Sequence, residues 1–514
     1  MALFTCNLFC LSPPTDPSIS WNKLIKRQVL TGNPWQGIRS YIHMQEVGLF
    51  ADNFTFPILL KAAGSASYVR FVFGLHGQTI KAGYSDHVYV QTALVNAYSI
   101  IGLSDVARNV FDKMRQRDLV AWNSMIDGYA SNGHMDIALD LFDSMPIKDV
   151  SSYNIILTGF AGVRRIESAR DMFDKMPVRD IVSWNSVISA CAIAGDMAEA
   201  RALFEKSSQR NVITWNTMIS GYVQNENYAE AIDLFDKMRT GNCEPDYLSV
   251  TSALSACAQL RSLKTGTQID MYARKHGQFF SPHVVTALID MYAKCGSIQN
   301  SLEVFYKFEH KDIYCWNAMV SGLALHGYGD AALKLLDDMR ENSMKPDDIT
   351  FIGLLSACSH AGLVEEGYQL FDSMESNFKI TPKIEHYGCM VDLLSRAKLL
   401  DRAFQIIETM PFKPGESILG ALLSSCVTHQ DLYTGEKVMN LIFDMANNSH
   451  NHLSDGEYIM FSNLYASCGK WEEAYKWRSM MNDSGVVKTA GRSIIEVDGR
   501  FHNFLAGKVD FQPD

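Results

Sequence analysis

The sequence predicts an all-α fold, a right-handed superhelical solenoid of stacked helix-turn-helix repeats, and three observations predict it. Between Leu119 and Asp246 four segments lie end to end in one register, opening LVAWN, VSSYN, IVSWN and VITWN, with Asn123, Asn154, Asn185 and Asn216 spaced 31 residues apart. Within one segment, apolar residues at helical spacing run through WNSMIDGYA (Trp122 to Ala130), break at Asn132-Gly133, and resume in MDIALDLFDSM (Met135 to Met145). Outside the four, Asn22 to Asn123 and Asn216 to Asn317 are each steps of 101 residues, which two repeats of 35 and one of 31 fill. A hairpin of this size cannot bury its own apolar face, so stacking on neighbours must supply the core.

The register divides residues 18–415 into twelve repeats without a gap. They are Ser18 to Asp52, Asn53 to His87, Val88 to Asp118, Leu119 to Asp149, Val150 to Asp180, Ile181 to Asn211, Val212 to Asp246, Tyr247 to Ser281, Pro282 to Asp312, Ile313 to Asp347, Asp348 to Lys383 and Ile384 to Gly415. Gly133 suits the left-handed position after a first helix. Pro146 and Pro177 follow second helices that can go no further, because proline lacks the amide and clashes with the preceding turn. Length alone would predict about three domains, but no linker or low-complexity segment interrupts the repeats, so one array is expected.

Apolar residues make up 47% and charged residues 20%, and no uninterrupted apolar run is long enough to cross a bilayer, so no membrane partner is expected. The net charge of -11 argues mildly against nucleic acid, yet in a long array charge can be segregated by face. Of the eleven cysteines, Cys191, Cys257, Cys358 and Cys426 share one place in their repeats, and Cys295 and Cys468 share another. Recurrent helical positions without a CxxC pair read as small buried hydrophobes, so neither a metal nor any other cofactor is expected. Residues 1–17 form a short N-terminal segment whose first fifteen residues carry no charge, which fits neither a secretory signal nor an arginine-rich presequence. A short or incomplete organellar presequence is the reading left.

The openings WNSMIDGY, WNTMISGY and WNAMVSGL and the closings KMRTGNCEPD and DMRENSMKPD, with repeats of about 35 and 31 residues in ordered alternation, resemble the plant pentatricopeptide repeat proteins of the PLS subclass. After Gly415, ESILGALLSSC and YIMFSNLYASCGKWEEAYKWRSMM resemble the helical E motifs of that subclass, which places an E region at 416–490. GRSIIEVDGRFHNFLAG (Gly491 to Gly507) resembles the opening of the DYW region, so 491–514 reads as a truncated start of one.

The fifth residue of each repeat and its last residue are recurrently polar on otherwise apolar helices. The pairs are Asn22 and Asp52, Thr92 and Asp118, Asn123 and Asp149, Asn154 and Asp180, Asn185 and Asn211, Asn216 and Asp246, Thr286 and Asp312, and Asn317 and Asp347. A carboxylate only accepts hydrogen bonds and so favours a base edge offering an N–H, as uracil and guanine do, whereas an amide can also face cytosine. Asparagine at the fifth position suits the smaller pyrimidines, and threonine leaves room for a purine. The alternative is structural: asparagines that bridge helices and aspartates that cap the next one. The resemblance favours base reading, one nucleotide per repeat, and implies the preference U, any, G, U, U, C, U, any, G, U with the N-terminus at the RNA 5′ side. It also implies that Ile19, Val120, Val182, Ile213 and Tyr314, at the second position, sandwich the bases; packing between helices is the alternative for them. The tryptophans at position four, including Trp122 and Trp184, read as packing. Pro57 with His87, Ile352 with Lys383, and Gly388 with Gly415 are expected to read poorly.

A zinc deaminase needs H-x-E and paired cysteines to activate water against cytosine. None of the fourteen histidines is followed at two residues by glutamate and CxxC is absent, so the chain is not expected to be an enzyme. The function this implies is sequence-specific binding of single-stranded organellar RNA as a site-recognition factor for C-to-U editing, with a DYW-type deaminase recruited in trans. The organelle favoured is the mitochondrion, with the chloroplast as alternative. An organellar splicing, processing or stability factor is the second reading, and a protein-binding helical-repeat scaffold the third.

Overall fold

The computed structural model describes residues 17–505 apart from 32, 242, 279–280, 450–452, 489–490 and 498–499, with side chains described over 21–445 and 453–491. Among the described residues there are twenty-eight helices and one two-stranded hairpin. Contacts divide the chain into two compact bodies, Met1–Asn225 and Glu226–Asp514. The division falls inside the seventh repeat.

In the first body, the repeats alternate a first helix of 13 residues, such as Val88–Ile100, Leu119–Ser131, Val150–Gly162 and Ile181–Ile193, with a second helix. The second helices of the short repeats hold 10 residues (Ser104–Lys113, Met135–Ser144, Ile166–Lys175), against 13 in the long repeat's Val69–Lys81. The two repeat lengths seen in the sequence therefore differ by about one turn of the second helix. First helices pack on the first helices of the repeats before and after them, and each second helix packs on its own first helix and on the next. The second body repeats this plan from Tyr247–Leu260 to Trp471–Asp483.

Local chemistry accounts for the hairpins. Gly133 sits at φ +82°, as its place after a helix end requires. Just before it, Asn132 donates its amide to the carbonyls of Gly128 (2.7 Å) and of Ser99 in the preceding repeat (2.9 Å), satisfying two helix-end acceptors at once. Gly128 lets those helices meet: a Cβ there would lie 2.1 Å from Ser99 Oγ. Aspartates and Asn211 cap first helices, with full capping boxes at Asp149, Asp180, Asn211, Asp246 and Asp347.

One packing unit recurs. Trp122, Tyr153, Trp184 and Trp215 in the first body and Trp316 in the second set a ring edge against the phenylalanine of the preceding second helix, Phe111, Phe142, Phe173, Phe204 and Phe305, at 4.9–5.1 Å. A cation covers the same phenylalanine in each case: Arg117, Lys148, Arg179, Arg210 and Lys311. The arginines also donate to the carbonyls that end the second helix, as Arg179 does to Phe173 at 3.0 Å. The position-four tryptophans are thus packing residues.

The cysteines at the shared register, Cys191, Cys257, Cys358 and Cys426, are all buried. Burial pushes the Cys358 thiol up to about 11 and that of Cys426 to about 12. Among the described residues no group of three or more His, Cys, Asp or Glu side chains could hold a metal ion, and no helix is long and apolar enough to cross a membrane.

The all-α expectation holds for the repeats, and one strand hairpin follows the last helix. Arg492–Val497 and Arg500–Leu505 pair as an antiparallel hairpin after the last helix. The physical reason is a change of period: SIIEV and FHNFL favour extended backbone through β-branched and aromatic residues and carry no helix cap.

Candidate nucleic-acid interface

The fifth residue of a first helix and the last residue of its repeat come together because that last residue is the N-cap of the adjacent first helix. In the first body Asn22 donates to both carboxylate oxygens of Asp52 (3.1 and 3.0 Å), Asn123 to Asp149 (3.3 Å) and Asn154 to Asp180 (3.1 Å). In the second, Asn317 donates to Asp347 at 3.1 Å. No direct hydrogen bond joins Thr92 to Asp118, Asn185 to Asn211 or Thr286 to Asp312 among the described residues. Asn216 and Asp246 lie in different bodies; Asp246 caps Ser249 (2.9 Å) within its own.

The structural alternative is therefore realised: these residues bridge and cap. It does not use them up. In Asp149 and Asp347 the cap, the bridging amide and the neighbouring hydroxyl all fall on Oδ1. Asp118 likewise spends only Oδ1, on the Ala121 amide at 2.8 Å. Oδ2 of these three takes no hydrogen bond from another described residue, so an acceptor remains for an incoming N–H.

Three of the carboxylates, those of Asp52, Asp149 and Asp180, are held in the ionised form. Burial would raise the Asp149 carboxyl, but hydrogen bonds from the Ser152 hydroxyl and amide and from Asn123 outweigh it and hold it below the usual range. The same balance, struck by Ser183 and Asn154, lowers Asp180, and Thr55, the Phe54 amide and Asn22 lower Asp52.

A residue that sequence reasoning missed completes the arrangement. In three of the pairs the third residue of the following repeat is a fully buried hydroxyl that shares its one proton between the asparagine carbonyl and the cap carboxylate: Thr55 between Asn22 (2.7 Å) and Asp52 (2.7 Å), Ser152 between Asn123 (2.8 Å) and Asp149 (2.7 Å), and Thr350 between Asn317 (2.7 Å) and Asp347 (2.8 Å). Both ends of the asparagine amide are then fixed, which sets its rotamer. The signal was present as recurrent Ser or Thr three residues after an Asp or Asn. Where the fifth residue is threonine the hydroxyl is replaced, by Ala121 after Thr92 and by Cys315 after Thr286, and Thr286 Oγ1 lies 3.2 Å from Cys315 Sγ.

Flanking the pairs, Val120, Val182, Ile213 and Tyr314 are 60%, 49%, 61% and 66% exposed. Packing between helices does not account for them. The side chain of Ile19 lies outside the described residues. Among the pairs expected to read poorly, Lys383 forms an ion pair with Asp348, the first residue of its own repeat, and Gly388 and Gly415 offer no side-chain polar group.

Fold and site together define a modular helical-repeat protein that places a polar pair at one register in eight of its twelve repeats. The comparisons give that class its family. The PPR repeat family matches residues 92–119, 120–150, 151–181, 182–212, 283–313, 349–377 and 385–413, a second PPR repeat family matches 210–259 and 311–360, and the E motif matches 429–496. A pentatricopeptide repeat-containing protein of Arabidopsis thaliana is 48% identical over 487 residues, covering 94% of this chain and 80% of that one. Another from the same plant, named chloroplastic, is 36% identical over 96% of this chain and 86% of its own. The chain belongs to the pentatricopeptide repeat family. In fold it is similar to the maize pentatricopeptide repeat protein PPR10 (TM-score 0.56, 18% identity, 91% of this chain and 74% of that one) and to PPR10 in complex with an 18-nt psaJ RNA element (TM-score 0.52, 19% identity, 92% and 71%).

Proposed function

We propose that this protein binds single-stranded organellar RNA in a sequence-specific way and acts as a site-recognition factor for C-to-U editing. The observation that carries the reading is the set of oriented polar pairs: each presents an ionised carboxylate or an amide beside an exposed apolar side chain, as one base per repeat requires. Asp149 and Asp347 would accept the N3–H of uracil, Asn211 would face cytosine, and Asp118 and Asp312 with their threonines would take guanine. The solved complex of PPR10 with an RNA element supports the chemistry by family. A deaminase of the DYW type acting in trans, recruited through the E region, would supply the chemistry, and the E-motif match at 429–496 supports that recruitment.

The test has two parts. A gel shift of the full chain with RNA of the sequence U, any, G, U, U, C, U, any, G, U against its complement should give a shift only with the former; equal binding of both sinks the sequence-specific reading. Sequencing organellar transcripts from plants with and without the protein should then show one or a few cytidines unedited in its absence. Altered transcript ends or retained introns with editing intact would move the role to processing or splicing. The organelle proposed is the mitochondrion, with the chloroplast as the alternative that relatives named chloroplastic favour.

A further inference from the structure

The third repeat carries an open cleft of about 340 Å³, lined among others by Tyr89, Thr92, Asn96, Asp118, Val120 and Lys61. It exists because two side chains are short. Thr92 stands where most of the paired repeats have asparagine, and Ala121 stands where Thr55, Ser152 and Thr350 supply a hydroxyl. As a result Thr92, 9% exposed, keeps a buried hydroxyl with no partner. A buried hydroxyl left unpaired at the wall of a cleft is costly unless a ligand completes it.

Asn96 lies one helical turn beyond Thr92 on the same helix and lines the same cleft. It has no hydrogen-bond partner among the described residues. A second cleft, about 390 Å³, opens at the same register of the twelfth repeat, in the other body, and there the ninth residue, Asp392, lines it beside Gly388. In both clefts the ninth residue of a first helix lines the opening together with a short fifth residue.

We propose that Asn96 is a third base-reading residue of the third repeat, donating from its carboxamide to O6 of a guanine whose N–H edge faces Asp118. This rests on the RNA-binding function proposed above and deepens it. Asp118 Oδ2 accepts only, and guanine presents N1–H and N2–H₂ to it. Guanine O6, adjacent on that edge, needs a donor. Of the polar groups lining the cleft, the Asn96 amide supplies a neutral donor on a side chain anchored to the same helix as Thr92. Adenine has a lone pair where guanine has N1–H, so it meets Asp118 with the wrong partner, and it has an amino group where guanine has O6, so the Asn96 carboxamide must turn its oxygen inward to meet it. Asp118 thus rejects adenine, and Asn96 adds affinity for guanine through O6.

The test uses the full-length chain, Asn96→Ala and the near-isosteric Asn96→Asp, with unchanged thermal unfolding as the control, and fluorescence anisotropy on two RNAs of the sequence above that differ by G or A at the third nucleotide. The wild type should prefer G. Both variants should lose about threefold to tenfold in affinity for the G RNA, the worth of one hydrogen bond, with affinity for the A RNA unchanged or raised. Equal weakening on both RNAs, or no change on either, overturns the inference while leaving RNA binding in place. Failure of the wild type to bind either RNA overturns the proposed function and this inference together, and it is seen before any variant is made.

Discussion

Asp149 can be made to show whether one carboxylate both caps a helix and reads a base. Its Oδ1 accepts from the Ser152 amide at 2.8 Å and, more weakly, from Asn123 at 3.3 Å, while Oδ2 stays open. Asp149→Ala removes the cap, worth about 1 kcal/mol, and the long bridging bond, worth about 0.5 kcal/mol. The expected loss is about 1.5 kcal/mol. Asp149→Asn keeps the cap, since asparagine caps as well as aspartate, and costs at most the bridging bond. Repeat six contains that substitution already: Asn211 keeps the cap, accepting from the Thr214 amide at 3.0 Å, and no bridging bond to Asn185 is found among the described residues. The two variants should therefore separate stability from recognition. Thermal unfolding and hydrogen exchange at the Ser152 amide should be perturbed by Asp149→Ala and nearly unchanged by Asp149→Asn. Anisotropy with RNAs varied at the fourth nucleotide should show Asp149→Asn moving the preference from U toward C by about tenfold, roughly 1.4 kcal/mol. If Asp149→Asn leaves the preference unmoved, the carboxylate is only a cap and the reasoning fails.

Three further outcomes are expected. Tyr314→Ala, at a side chain 66% exposed, should leave unfolding unchanged and weaken RNA binding by about five- to a hundredfold, the worth of one stacking platform of about 1–3 kcal/mol; unchanged affinity in a titration would remove the second position from the interface. Trp184→Ala should lower stability by about 3 kcal/mol, because the ring packs on Phe173 at 4.9 Å under Arg179, and should leave base preference intact in whatever fraction stays folded. The carboxyls of Asp52, Asp149 and Asp180 are held below their ordinary value in the folded state. Their stabilising contribution is complete above about pH 4 and lost as pH falls through the folded values, so the difference in unfolding midpoint between the wild type and Asp149→Ala should be constant from pH 7 to 5 and shrink below about pH 4; a difference that already shrinks between pH 7 and 5 would contradict the assignment.

The hairpins and the pairing of positions were legible because they leave periodic marks. Asn123 and Asp149 are 26 residues apart in sequence, yet the fixed step of the array is enough to predict that they meet. Periodicity also placed Trp184 and Cys191 inside, since a residue recurring at one helical position on an apolar stripe faces a neighbour. What stayed hidden does not repeat uniformly or depends on a neighbour's absence. Ser152 is unremarkable until it is seen donating to Asn123, and the replacement at Ala121 matters only because it leaves Thr92 without a partner. The hairpin after Asp483 was signalled by the β-branched and aromatic residues of its two segments, but twelve helical repeats set a strong expectation against strands. The division into two bodies left no mark in composition or register.

A last consequence concerns which residues can stand at the end of a repeat. Asp118, Asp149, Asp180, Asn211, Asp246, Asp312 and Asp347 all accept an amide from the first turn that follows. His87, Ser281, Lys383 and Gly415 make no side-chain cap, and these end the repeats without a firm expected base preference. The terminal residue is constrained first by the helix it starts, and the base choice proposed for it would use the same side chain. Gly415 allows this to be tested by construction. Its backbone, φ -82° and ψ 160°, already has the extended conformation of an N-cap, so Gly415→Asp should stabilise the chain by about 0.3 kcal/mol without strain. It should confer no base preference alone, because Gly388 offers no partner. A Cβ on Gly388 would meet Ile418 at an ordinary 3.5 Å, so Gly388→Asn is accommodated, and only the double variant should acquire a preference for U at the nucleotide facing the twelfth repeat. A preference gained by Gly415→Asp alone would show that the cap residue reads without its partner, and a double variant indifferent to that nucleotide would show that the pair orders the stack and nothing more.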